Sequence, residues 1–166
     1  MRARIAAAVL LPWIATCAAA VDKPDLERVE ELVIARTNDF RHEEGLQRLE
    51  PSGKLDETAR RFAEYMASTD RFGHRADGKA PWERAQRNGY RWCAFYENIA
   101  YRFSSIGFRT RELAESLVEG WKESPGHRRN MLQRGVVDTG VGVARSEKTG
   151  RYYAVQLFGR ARSPGC

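Results

Sequence analysis

The sequence predicts a single α+β domain, with four or five helices packed on a small antiparallel sheet. Three observations point there. Apolar residues recur at helical spacing in several stretches, two β-forming apolar runs close the chain around a hairpin loop, and no repeat, low-complexity tract or long linker divides the 166 residues. A hydrophobic content of 42% with 10% aromatics is ordinary globular composition and excludes a disordered or collagen-like chain.

The first twenty residues stand apart from that domain. Met1 to Arg4 is cationic, Ile5 to Cys17 is apolar apart from Pro12 and Thr16, and Ala18 to Ala20 offers small residues for cleavage. That is the layout of a secretory signal peptide over 1–20, with the domain in 21–166. The apolar run is too short to cross a bilayer core of about 30 Å as a helix. The expected destination is the periplasm or the exterior. A second reading treats Ile14 to Cys17 as a lipoprotein box, in which case Cys17 is lipidated and anchors the chain.

From Asp25 to Glu43, Leu26, Val29, Val33 and Phe40 recur on one face, a first amphipathic helix that Gly45 ends. Ser52 is placed to cap a second helix, whose Leu55, Ala59, Phe62, Ala63 and Met66 share a face and which runs to about Asp70. Residues 71–78 break the period and read as a loop. Pro81 opens a short helix ending near Asn88. Ala94 to Tyr101 is rich in β-formers and reads as a strand or extended segment. Leu113, Leu117 and Trp121 mark a helix over Thr110–Glu123, and Ser124-Pro125 starts another to about Gln133. Val136 to Ala144 and Tyr152 to Phe158 form an antiparallel pair across the loop 145–150.

Once Cys17 is assigned to the leader, Cys93 and Cys166 remain. In an oxidising compartment they form either a disulfide or two free thiols. Charge is uneven: residues 101–166 carry 12 Lys/Arg against 6 Asp/Glu, while 21–100 carry 14 against 16. That basic excess fits an anionic envelope or a solvated face. No long basic run, RNA-binding motif or zinc-finger spacing supports nucleic-acid recognition.

Several segments taken in order carry a resemblance. They are Asn38 to Arg41 with Gly45, Leu46 and Leu49; Phe72-Gly73-His74; Pro81 to Arg84; Glu97 to Ala100; Trp121 with Ser124 to Met131; Thr139 to Ala144; and Gln156 to Phe158. Spread over residues 29–158, they resemble the CAP superfamily of cysteine-rich secretory, antigen 5 and pathogenesis-related 1 proteins, in its bacterial secreted form. The resemblance implies an α-β-α sandwich with a central groove lined by two histidines and up to two glutamates, often holding a divalent metal such as zinc, magnesium or calcium.

On that reading His74, His127 and Glu97 are the candidate metal ligands, and with Ser124 they line the ligand groove. His42, among charged neighbours, is a surface residue. His127 at a helix N-terminus should stay neutral and keep a lone pair. Glu97 could ligate a metal, hold a histidine ring, act as general base or pair with an arginine. The second family glutamate does not carry over. At roughly 100° per residue, Leu113, Leu117, Trp121 and Ser124 share one face, while Glu112, Glu115, Glu119 and Glu123 share the opposite one. Ser124 lacks the strand-turn-helix context of a nucleophile and reads as a cap. Trp82, Trp92 and Trp121, with Tyr90, Phe95, Tyr96 and Tyr101, read as core, the alternative being that Tyr90, Trp92 and Tyr96 edge the groove.

Two functions follow. One is an exported binding or interaction module for a small apolar, lipid-like or peptide ligand, with metal optional and cell-envelope association expected. The other is a metal-assisted hydrolase or peptidase with Glu97 as base and His74 and His127 on the ion.

Overall fold

The computed structural model describes residues 23–166, so the leader and Cys17 lie outside the described residues. The elements run α1 (Leu26–Glu43), β1 (Glu50–Pro51), α2 (Gly53–Thr69), α3 (Pro81–Arg87), β2 (Trp92–Arg102), α4 (Thr110–Glu123), α5 (Pro125–Met131), β3 (Asp138–Arg145) and β4 (Tyr152–Ala161). The sheet order is β1-β3-β4-β2. Its three long strands are antiparallel, as expected, and the two-residue β1 adds a parallel pairing, Glu50 with Asp138 and Pro51 with Thr139. Two residues without an alternating pattern leave no periodic signal. None of the described helices is long and apolar enough to cross a membrane.

Alternation along β4 creates two cores. Tyr152, Ala154 and Phe158 join Val29, Val33, Leu113, Leu117 and Trp121 on one face, while Tyr153, Val155 and Leu157 join Leu55, Phe62, Met66 and Ala85 on the other. The sheet is therefore sandwiched between α1, α4 and α5 on one side and α2 and α3 on the other, the α-β-α arrangement. Gly140 and Gly142 set the spacing on the second side. A Cβ there would stand 2.4 and 2.1 Å from backbone nitrogens of α2, so the helix lies directly on β3.

Local signals act much as expected. Asp25 caps α1 by accepting from the Arg28 N–H at 3.1 Å, and Gly45 follows the helix at φ 70°. Ser52 occupies the N-cap of α2 but without a side-chain capping bond; its backbone N–H instead donates to Thr139 O at 2.8 Å, continuing the β1–β3 pairing. Cys93 and Cys166 are joined as a disulfide with Cα atoms 5.8 Å apart.

Both sheet edges are closed by side chains. Beyond β1, the outward N–H groups of Val141 and Val143 on β3 donate to Asp56 Oδ1 and Glu30 Oε1 at 3.1 and 2.9 Å. Along the free edge of β2, the carbonyls of Glu97, Ile99 and Tyr101 accept from Asn130, Trp121 and Arg102. Neither edge is left as a template for pairing with another chain.

Candidate functional site

The candidate site forms at the β2 edge, where the two helical layers meet. Glu97 lies mid-strand with its side chain toward α3, and the loop before α3 brings His74 over it. His74 Nδ1 is 2.7 Å from Glu97 Oε1. The other carboxylate oxygen accepts from Arg84 Nη2 at 2.7 Å. Arg84 is itself held by Asp77 Oδ1 at 2.9 Å, by the carbonyls of His74 and Lys79 at 3.0 Å, and by the Phe62 ring, 3.4 Å from its guanidinium carbon. The Glu97 and Arg84 side chains are only 2% and 8% exposed, whereas His74 is 52% exposed. Two of the roles open to Glu97 are thus realised together, a brace for the histidine ring and an arginine ion pair.

The opposite wall comes from the α4–α5 junction. Asn98 donates to His127 O at 3.1 Å, and Asn130 donates to Asn98 Oδ1 at 2.9 Å and to Glu97 O at 3.2 Å. This amide pair clamps α5 to β2 and fixes where His127 stands. His127 is held below the usual imidazole range, first by burial, then by the charges of His74 and Arg102. The direction is the one expected from the sequence. The cause is burial first, then the charges of His74 and Arg102.

On the α4–α5 side of β2 lies a cleft of about 420 Å³ lined by Phe72, Ile99, Ala100, Tyr101, Arg102, Gly120, Trp121, Ser124 and His127; of the residues expected in the groove it takes in Ser124 and His127 but not His74 or Glu97. Ser124 is the N-cap residue of α5, yet its hydroxyl makes no capping bond, which corrects the expectation of a side-chain cap; its carbonyl accepts from Arg128 N–H instead. Arg102 was not singled out by sequence. Its guanidinium packs over Gly120 and donates to the Ser116 carbonyl, from Nε at 3.1 Å and from Nη2 at 2.7 Å. A glycine in the last turns of a helix gives no hint that a strand arginine covers it.

His42 is exposed, as expected, and so are Glu112, Glu115, Glu119 and Glu123. Glu123 does not line the cleft, though its charge acts on Arg102, which does. The core assignment of the aromatics holds for Trp121 and Tyr90 but fails for Trp82, Trp92 and Tyr101, which are 43%, 36% and 43% exposed. Tyr101 faces out because it follows the last buried residues of β2 and borders the cleft. Among the described residues, no group of three or more His, Cys, Asp or Glu side chains is arranged to hold a metal ion.

Sequence also missed Arg41. Buried to 2% exposure, it donates to the carbonyls of Gln47, Met131 and Gln133, closing the end of α5 against the loop after α1. An arginine in a helical charged run reads as solvated, so its place in the motif Asn38 to Arg41 was the only sign of it, and the motif does not say what it binds.

Comparison with known proteins agrees with the fold. The chain is 27% identical over 132 residues to the uncharacterized protein YkwD of Bacillus subtilis, a match covering 79% of this chain and 47% of that protein, so it spans about half the length of this curated relative. An outer surface protein of Borrelia burgdorferi superposes with a TM-score of 0.73 at 18% identity, covering 86% of this chain and 99% of that one. An extracellular protein containing an SCP domain from Bacillus anthracis gives 0.69 at 24% identity, over 81% of this chain and 41% of that one. These structural likenesses carry the fold. The sequence profile described as "CAP: Cysteine-rich secretory protein family" matches residues 34–158, which takes in every element from α1 to β4, and on that match the chain belongs to the CAP, cysteine-rich secretory protein family.

Proposed function

We propose that the protein is an exported binding module whose cleft takes a small amphiphile, with an apolar body against Phe72, Ile99, Tyr101 and Trp121 and an anionic or acceptor head near Arg102, Ser124 and His127. One observation carries this reading. The carboxylate expected to act as a base, Glu97, already has one oxygen on His74 and the other on Arg84, so it would have to break an ion pair to serve as one. What remains accessible is a binding surface: aromatic walls, a serine hydroxyl, a neutral imidazole and an arginine with two of its five N–H donors uncommitted. Export rests on the leader-like residues 1–20 and on the extracellular nature of the Bacillus anthracis relative.

A divalent ion would have two imidazoles here, His74 and His127, and no third side-chain ligand arranged with them among the described residues. His74, braced through Nδ1 by Glu97, has the carboxylate–histidine arrangement typical of metal-bound imidazoles, leaving Nε2 outward. His74 and His127 would hold the ion, with Glu97 behind them, and the bound ion would polarise an acceptor group on a ligand.

Titration with decanoate, a soluble single-chain carboxylate, tests the binding reading. Resonances of His127 and of the Trp121 indole should shift together, and Ser124→Phe, which fills the cleft, should weaken uptake at least about tenfold. Shifts confined to other surfaces, or unchanged uptake by Ser124→Phe, would refute it. Repeating the titration with zinc present reads the contribution of His74 and His127 separately.

A further inference from the structure

Of the large apolar side chains left exposed, four gather on one face: Phe72, Tyr101, Phe103 and Ile106, at 47%, 43%, 59% and 80% exposure. Two of them touch, and the β3–β4 turn and the loop after β2 bring the other two near. Phe72 and Tyr101 pack edge to face at 5.2 Å, Arg151 lies 5.0 Å over the Tyr101 ring, and the Phe103 ring and the Arg145 guanidinium both border Gly150 in the β3–β4 turn. Ile106 stands at the tip of the turn closed by Gly107 N–H to Ser104 O. A soluble surface rarely gathers protruding residues of this kind without a partner.

The charge around them is mostly positive, with Asp70, which accepts from Thr149, and Glu123, which faces Arg102, as acids at its margin. Segments 101–111 and 145–151 together carry Arg102, Arg109, Arg111, Arg145, Lys148 and Arg151 against one acid, Glu147, which pairs with Arg145 at 2.9 Å. Glu112, just beyond, approaches Arg109 only at 4.0 Å. Much of the basic excess of the C-terminal part is therefore displayed around this apolar tip. The chain also enters the fold here, for Asp25 N–H donates to Thr110 Oγ1, immediately after the loop.

We propose that this face docks on an anionic lipid bilayer, with Ile106 and Phe103 entering the boundary between headgroups and acyl chains and the surrounding arginines and Lys148 meeting the headgroup charge. A protruding apolar tip in a basic ring suits an interfacial layer, which accepts isolated side chains, better than a protein surface, which needs a matching hollow. Phe72 and Tyr101 belong both to this face and to the cleft, so docking turns the cleft mouth toward the bilayer. Docking stands without the amphiphile reading; passage of a ligand from bilayer to cleft rests on it.

The test is co-sedimentation of the purified chain, its mass recording whether residues 1–20 remain, with phosphatidylcholine vesicles containing about one third phosphatidylglycerol. Binding is expected at low salt, falling steeply by about 0.5 M salt and on pure phosphatidylcholine. The pair Phe103→Ser and Ile106→Ser should bind at least about tenfold more weakly, and Lys148→Glu with Arg151→Glu should lose the preference for phosphatidylglycerol. All these positions are surface ones, and circular dichroism confirms folding. No vesicle binding, binding indifferent to phosphatidylglycerol, or full binding by the double-serine variant would overturn the proposal. So would a concentration-dependent dimer dissolved by Ile106→Ser in a chain that ignores vesicles. Decanoate uptake separates the two readings: its failure with vesicle binding intact sinks the amphiphile cleft alone, while retained uptake in a chain that ignores vesicles sinks docking alone.

Discussion

Arg84 shows what one residue contributes to the site. Its guanidinium joins two buried carboxylates, Asp77 and Glu97, to the loop carbonyls that position His74. Removing it leaves Glu97 with His74 alone and Asp77 with Lys79 alone at 3.6 Å, in a poorly solvated place, which costs more than the net worth of the pair. Arg84→Leu should therefore lower unfolding free energy by about 3–5 kcal/mol. Glu97→Gln, which keeps hydrogen-bonding capacity, should cost clearly less. Urea denaturation of the two variants decides it, and equal losses would contradict the central role given to the arginine. Sequence offered Arg84 only as a motif residue, because no pattern in the chain says which of many arginines meets Glu97.

At the scale of elements, the sheet edges carry the lesson. β1 stops after two residues, and β3 then relies on side chains from two helices, Asp56 and Glu30, to receive its outward N–H groups. Burial raises both carboxyls above their ordinary values of 3.8 and 4.5, and for Glu30 the hydrogen bond from Arg60 opposes that shift in part. The folded state thus holds these protons more tightly than the unfolded chain does. Stability from each group is present below its ordinary value and is lost as pH rises through the elevated one. Glu30→Gln keeps an acceptor for Val143 but cannot titrate. Followed by urea midpoint between pH 4 and 7, wild type should lose ground relative to this variant as pH increases; a gap that widens in favour of wild type would show that the Arg60 pair dominates. The helices themselves were legible, since α1, α2 and α4 each bury one stripe. The edge strand β1 was not, because its two residues are fixed by the backbone of β3.

The whole molecule is a sheet with a helical layer on each face, and its C-terminal residue is tied to β2. The disulfide joins the start of β2 to the residues following β4 and encloses 73 positions. Constraining so long a loop in the unfolded chain is worth about 2–4 kcal/mol. Cys93→Ser should lower stability by that amount, read as a fall in urea midpoint, while leaving decanoate uptake unchanged because the bridge lies away from the cleft. A loss under about 0.5 kcal/mol would mean that the exposed tail carries no such constraint.

What the sequence determined by itself was local: helical stripes, caps and breakers, the hairpin, the pair of cysteines, and the ordered motifs that mark the CAP family. Those features depend on neighbours within a turn or two. It also named His74, Glu97, His127 and Ser124, but not their relations. Packing adds those relations: Glu97 is shared between His74 and Arg84, Asn98 and Asn130 fix His127, Arg102 covers Gly120, and part of the basic excess stands beside exposed apolar residues. Each of these joins residues from elements distant along the chain. Their contacts arise when two helical layers close on the edge of one strand, and periodicity along a sequence does not encode which side chains meet there.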